Sequence, residues 1–286
     1  MNYRHAYHAG NFADVFKHTL LIILLTALNR KPAPWCYFDS HAGAGLYDLQ
    51  GAEVRRGDEA AGGIHRLWPL RATAPAPVAE LCSAVAAVNP GLPADALPRF
   101  YPGSPLIAAG LARPQDRLVL AELRSDEVQL LRTHLHRDAH AAIHARDGYE
   151  MLRALTPPAE RRGLALLDPT FELPTEFVQM LQALSAAYQR WPEGVYALWY
   201  PRKDGPATRR LERELLRLKP QRMLRADFRI APEDTPQFGA CSLALINPPW
   251  QSEHAMQVSL AFLRDALAPQ AGSYHLHWLT TASLDK

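Results

Sequence analysis

Apolar and polar positions along the chain fall into blocks with two different periods. Between residues 12 and 29, Val15, Leu21, Leu25 and Leu28 recur near helical spacing and Pro32 closes the stretch, which predicts a helix. Short apolar runs follow at 35–39, 117–123, 142–145, 163–168 and 195–200, and those at 223–230 and 242–246 read as the last two strands. Helical spacing fills the intervals at about 125–137, 149–155, 174–190 and 206–218. This alternation predicts an α/β fold, doubly wound around a mostly parallel sheet. Residues 46–101 break the rhythm with a charged run at 53–59, a helix-like stretch at 78–88 and six prolines between 69 and 98. A structureless loop of that length does not suit a compact domain, so a small helical insertion within one domain spanning 1–286 is expected. After it, Pro102-Gly103-Ser104-Pro105 reads as a helix start, with Ser104 available to cap free amides.

Composition narrows the class. The 286 residues carry a formal charge of only +2, so a basic face is allowed but not demanded. The polar, histidine-rich N-terminus lacks the apolar centre of a signal peptide, and the apolar run 20–25 is far too short for a membrane span. Three widely separated cysteines, Cys36, Cys82 and Cys241, argue for a reducing cytoplasm and against a disulfide framework or a cysteine-based zinc site.

The chemistry is expected at the strand ends. In an open α/β sheet, ligands bind outside the carboxyl ends of the strands. Asp39, Glu122, Asp147 and Asp168 end successive predicted strands, so together they would line one edge of the sheet and favour a cationic or polar ligand. Asp39 precedes Gly43 and Gly45, an acidic strand end that suits the sulfonium of S-adenosylmethionine better than a phosphate. Glu122 at the next strand end fits a ribose contact, or is a plain surface acid. Asp147-Gly148 fits the base edge of a cofactor adenine, or a helix cap. In Asp168-Pro169-Thr170-Phe171 a carboxylate, a fixed turn and a ring are suited to holding the exocyclic amine of a flat base; a helix cap is the plainer reading of Asp168.

Three other groups compete for a role. Asn247-Pro248-Pro249-Trp250 has the residues for the same amine-holding task, but it ends the last strand, away from the cofactor, and reads as a structural turn. His5, His8 and His18 with Asp14 lack the spacing of a compact metal site. Arg209, Arg210, Arg213 and Arg217 lie opposite Leu211, Leu215 and Leu218, first an amphipathic helix with a solvated face and second a phosphate contact.

Several of these motifs occur together in one known family. Tyr3-Arg4-His5 through Asn11, Asp14 through His18, Asp39 through Gly45, Tyr101 through Pro105 and Asn247 through Trp250 resemble the bacterial large-subunit ribosomal RNA adenine-N6 methyltransferases, earlier labelled as proteins for catabolism of external DNA. The resemblance covers essentially the whole chain. It implies a Rossmann-like fold that uses S-adenosylmethionine without metal, a monomer acting on protein-free or partly assembled ribosomal RNA, and no membrane. It further implies cofactor contacts from His18, His41, Ser104, Glu122, Asp147, Gly148 and Asp168, an RNA contact from Tyr3, and catalysis by Asp168 beside Pro169 and Phe171. The family's tetrapeptide is Asp-Pro-Pro-Tyr. Here Thr170 gives up the rigidity of the second proline, and Phe171 keeps the stacking face without the hydroxyl. Two other readings of the chain are a DNA adenine methyltransferase and a non-catalytic nucleic-acid-binding protein.

Overall fold

The computed structural model describes residues 5–51, 58–136, 138–172, 175–202, 206–232 and 238–280. The side chain of Asn11 accepts the amide of Asp14 and starts α1 (Phe12–Asn29). By length and composition α1 is apolar enough to cross a membrane, yet it is almost wholly buried within the fold. The sheet begins with β1 (Cys36–Asp39). β2 (Leu46–Asp48) then leaves it, and the chain passes through α2 (Ile64–Leu67) and α3 (Ala76–Ala87) before β3 (Phe100–Pro102) returns antiparallel to β2. That two-stranded ladder closes the base of the helical segment expected at 46–101.

α4 (Ser104–Leu111) leads to β4 (Arg117–Glu122), and α5 (Ser125–His134) to β5 (Ala141–Ala145). α6 (Gly148–Leu155), β6 (Gly163–Leu167), α7 (Glu176–Arg190), β7 (Val195–Pro201) and α8 (Pro206–Arg217) continue the alternation. The chain closes with β8 (Met223–Arg229), β9 (Ala240–Ile246), α9 (Ser252–Leu267) and β10 (Ser273–Thr280). The strand at 240–246 is therefore not the last. The polar, histidine-bearing β10 pairs antiparallel with β8 at the sheet edge, where exposure on one side removes the apolar run that marks the inner strands.

The eight strands of the main sheet lie in the order β10-β8-β9-β7-β6-β1-β4-β5. From β7 to β5 neighbours are parallel, and β9 runs antiparallel to β7 and to β8. Alternate residues face opposite layers. Tyr37, Leu118, Leu120, Leu164 and Leu166 pack with α1, α3, α4 and α9. Cys36, Phe38, Val119, Ala121, Ala165 and Leu167 pack with α6, α7 and α8. Burial on both faces explains why these strands read as unbroken apolar runs.

Candidate active site

The carboxyl ends of β5, β4, β1 and β6 lie side by side and open on a cavity of about 500 Å³, a size that suits a small-molecule ligand. Glu122, Asp147 and Asp168 line it. Asp39 does not, contrary to the expected row of four. The register pairs it with Leu120 and Leu166, two residues short of its acidic neighbours, so its side chain lies beneath the cavity floor. There it accepts hydrogen bonds from the Tyr37 hydroxyl at 2.8 Å and the Ser104 hydroxyl at 2.7 Å. Burial pushes its carboxyl up to about 6 against those bonds. Ser104 likewise departs from expectation: Gly103 occupies the cap position of α4 without a side-chain bond, and the serine hydroxyl is committed to Asp39 while the residue lines the cavity.

One half of the cavity is built from loops after β1, β4 and β5. Glu122 accepts the amide of Gly43 at 2.9 Å and that of Arg124 at 2.8 Å, which locks the glycine turn to the neighbouring strand. Asp147 is both a helix cap, accepting the Glu150 amide at 2.9 Å, and part of the wall. Gly148 must be glycine, because a Cβ there would sit 1.8 Å from the carbonyl oxygen of Ser40. His18 bonds the Tyr101 hydroxyl at 2.9 Å, and His41 bonds the Ser40 hydroxyl at 2.7 Å. Burial lowers His18 to about 3 and His41 to about 4, so both rings are neutral near pH 7.

Two polar atoms of this wall, Tyr149 Oη and Glu127 Oε2, are buried and have no hydrogen-bond partner among the described residues. Orphaned groups of this kind cost free energy unless a ligand satisfies them. With the acidic wall, they fit a polar cofactor that carries positive charge.

The other half centres on Asp168. Lys17 of α1 donates to Asp168 Oδ2 and forms an ion pair with Asp14 at 3.0 Å, while Asp14 also holds His5 at 2.9 Å. Burial alone would lower Lys17, but the two carboxylates outweigh it and hold the ammonium above its ordinary range. Asp168 Oδ1 makes no hydrogen bond to another described residue, and the side chain is 15% exposed on the cavity. Beyond Pro169, the Thr170 hydroxyl donates to Glu176 at 3.0 Å and the Phe171 ring packs on Phe177 at 4.7 Å. These two contacts, each six residues apart, hold Phe171 at φ +55, a left-handed conformation that costs a non-glycine residue about 1–3 kcal/mol. Ring contacts continue from Phe171 to Trp199, Phe238 and Phe12 and form an aromatic wall.

Tyr3 lies outside the described residues. Every other candidate, His18, His41, Ser104, Glu122, Asp147, Gly148, Asp168, Pro169 and Phe171, lines the one cavity. Sequence reasoning gave Lys17 and Asp14 no role. The available signal was a lysine and an aspartate one turn apart at the start of a mostly apolar helix, a combination that needs a buried partner. His5, His8 and His18 go to three separate partners, Asp14, Glu59 and Tyr101, and among the described residues no group of His, Cys, Asp and Glu is arranged to hold a metal.

Residues 32–280 match the model of the family described as ribosomal RNA large subunit methyltransferase D, RlmJ. The chain belongs to this family. It is 37% identical to ribosomal RNA large subunit methyltransferase J of Escherichia coli, over 96% of each chain. It is 35% identical to the protein of the same description from Haemophilus influenzae, over 98% of this chain and 99% of that one. A crystal structure of a protein from Legionella pneumophila, 32% identical, superposes with a TM-score of 0.88 and covers 95% of this chain and 98% of that one. The fold is the α/β, Rossmann-like methyltransferase fold expected from the alternation of strands and helices and from the resemblance. The cavity at the carboxyl ends of β5, β4, β1 and β6 is where Asp168, Glu122 and Asp147 converge.

Proposed function

We propose that the chain transfers a methyl group from S-adenosylmethionine to the N6 amine of an adenine in large-subunit ribosomal RNA, as one methyltransferase domain carrying the 46–101 insertion. The observation that carries this reading is the division of labour on Asp168: Lys17 occupies Oδ2, and Oδ1 is left to the cavity beside Pro169.

The adenine amine is a weak nucleophile because its lone pair is delocalised into the ring. Hydrogen bonds from that amine to Asp168 Oδ1 and to the Pro169 carbonyl draw the nitrogen toward tetrahedral geometry and release the lone pair. Asp168 then accepts the proton that the methylated nitrogen sheds. Lys17 fixes the carboxylate in place, so the acceptor is preorganised before the base arrives. The Phe171–Trp199 wall offers a ring face to a base flipped out of its stack. Bound S-adenosylmethionine supplies an electrophilic methyl group on a sulfonium. Glu122 and Asp147 suit its ribose and adenine, and His18, His41, Ser104 and Gly148 complete the wall that receives it. The neutral histidines add no positive charge to repel it.

The test is methylation of transcribed large-subunit ribosomal RNA with labelled cofactor, followed by mass spectrometry of the nucleosides. N6-methyladenosine is the expected product. Methyl groups on another nucleoside, or label on duplex DNA with none on RNA, would overturn the assignment.

A further inference from the structure

The cavity and its proposed substrate have the same sign of charge. Glu59, Glu122, Glu127, Asp147 and Asp168 line the cavity, while the cations on its wall are engaged, Lys17 by Asp14 and Asp168 and Arg124 by Asp126. Such walls admit a base but repel its phosphates. A flipped nucleotide leaves its backbone outside the pocket, and the affinity of a protein for nucleic acid comes largely from backbone contacts. A cationic surface next to the cavity is therefore required.

We propose that the arginine face of α8 is that surface, a ledge for the RNA backbone flanking the target nucleotide. The helix begins five residues after Pro201, which lines the cavity with Trp199 of β7, so even a fully extended connection keeps its start within about 18 Å of the rim. Leu211 and Leu215 are fully buried and fix which side faces out. The helix's own acids are consumed. Glu212 accepts from Arg225 at 2.8 Å and Tyr200 at 3.2 Å, and Glu214 pairs with Arg217 at 2.6 Å. Arg209, Arg210 and Arg213 remain exposed, with no hydrogen bond or ion pair to any other described residue.

Arg209 and Arg213 stand one turn apart on one face, about 6 Å along the axis. Like charges at that spacing destabilise a helix slightly, so the arrangement works against folding and in favour of an external anion. An extended phosphate backbone satisfies a row of guanidiniums, which bind phosphate through paired donors. This assignment rests on ribosomal RNA being the substrate.

The experiment replaces all three with glutamine, Arg209→Gln, Arg210→Gln and Arg213→Gln, in the full chain. RNA binding is read by fluorescence anisotropy, and methylation of transcribed ribosomal RNA is read across a salt series. Expected are a rise in the RNA Kd and KM of about tenfold or more, kcat within about twofold, and a salt dependence of log affinity shallower by about two. Affinity for S-adenosylmethionine by calorimetry should not change. A control pair on exposed positions elsewhere, Lys31→Gln and Arg153→Gln, should bind and methylate like the parent. If the parent methylates ribosomal RNA and the triple variant keeps its KM and salt slope, the ledge is wrong and the substrate reading stands. Weakened binding with an unchanged salt slope would also overturn it, since that marks a structural effect. A parent that neither binds nor methylates ribosomal RNA overturns both.

Discussion

Two tetrapeptides of similar composition end strands of the same sheet and have opposite fates. Asp168-Pro169-Thr170-Phe171 follows β6 at the edge where the parallel strands end. Asn247-Pro248-Pro249-Trp250 follows β9, which runs antiparallel to β7 and pairs Ile246 with Tyr196 near the start of that strand. Reversing one strand moves its end to the far side of the molecule. There Asn247 adopts φ +53 and its side-chain amide donates to the carbonyls of Pro192 at 2.7 Å and Gly194 at 2.9 Å. Its donors tie a loop, whereas Asp168 keeps Oδ1 open to the cavity. Strand direction, more than the residues themselves, decides which tetrapeptide opens on the cavity.

Substitutions at four positions sharpen or break this contrast, the largest effect first. Asp168→Ala should lower kcat by about a thousandfold or more while calorimetry still registers the cofactor; near-parental turnover would end its claim to be the catalytic residue. Lys17→Met should cost about a hundredfold in kcat, because it frees the Asp168 carboxylate from its anchor and leaves Asp14 and Asp168 facing each other without their cation. An unchanged rate would mean that Lys17 serves folding alone. Asn247→Ala should instead leave kcat/KM near parental and lower unfolding free energy by about 1–3 kcal/mol, since two carbonyls lose their donor. Lost turnover with parental stability would dissolve the distinction between the two edges. Thr170→Val should reduce kcat severalfold at most, and Thr170→Pro should restore it, if the bond to Glu176 does the work of the family's second proline.

The pH dependence of stability also separates the edges, because the strongly shifted histidines face the cavity. His18 and His41 titrate near 3 and 4 when folded, below the ordinary histidine value of 6.5, so the unfolded chain binds more protons in that interval. Stability is then fully present above about 6.5 and falls as pH drops toward those folded values. Asp39, raised to about 6, acts in the opposite sense between about 4 and 6 and partly offsets the loss. Chemical denaturation between pH 7 and 4.5 should show declining stability, with a shallower decline in His41→Asn. A flat profile in the parent would contradict the burial of both rings.

Much of this was legible in the chain. The start and end of α1, the inner strands and the acids at their ends follow from apolar period and turn residues. What was not legible depends on register and on partners distant in sequence. That Asp39 sits two residues deeper than Glu122 and Asp168 is a property of strand pairing, which no local pattern encodes. The partnership of Lys17 with Asp168 spans 151 positions. Ser104 has the residue type of a helix cap, but the nearby Asp39 carboxylate takes its hydroxyl. β10 was missed because an edge strand exposed on one side carries histidines where inner strands carry leucines.

The helical insertion bears on how small such an enzyme can become. Glu59 holds His8 at 2.9 Å and Asn11 at 2.8 Å, and the amide of Ile64 donates to the carbonyl of Gly10 at 2.8 Å. A side chain on Gly63 would collide with that same carbonyl at 2.0 Å. The segment therefore clamps the turn from which Asp14 and Lys17 project. A trimmed version that loops out the insertion would inherit Asp14, Lys17 and Asp168 and lose the brace that aims the first two, so miniaturising this scaffold must start elsewhere.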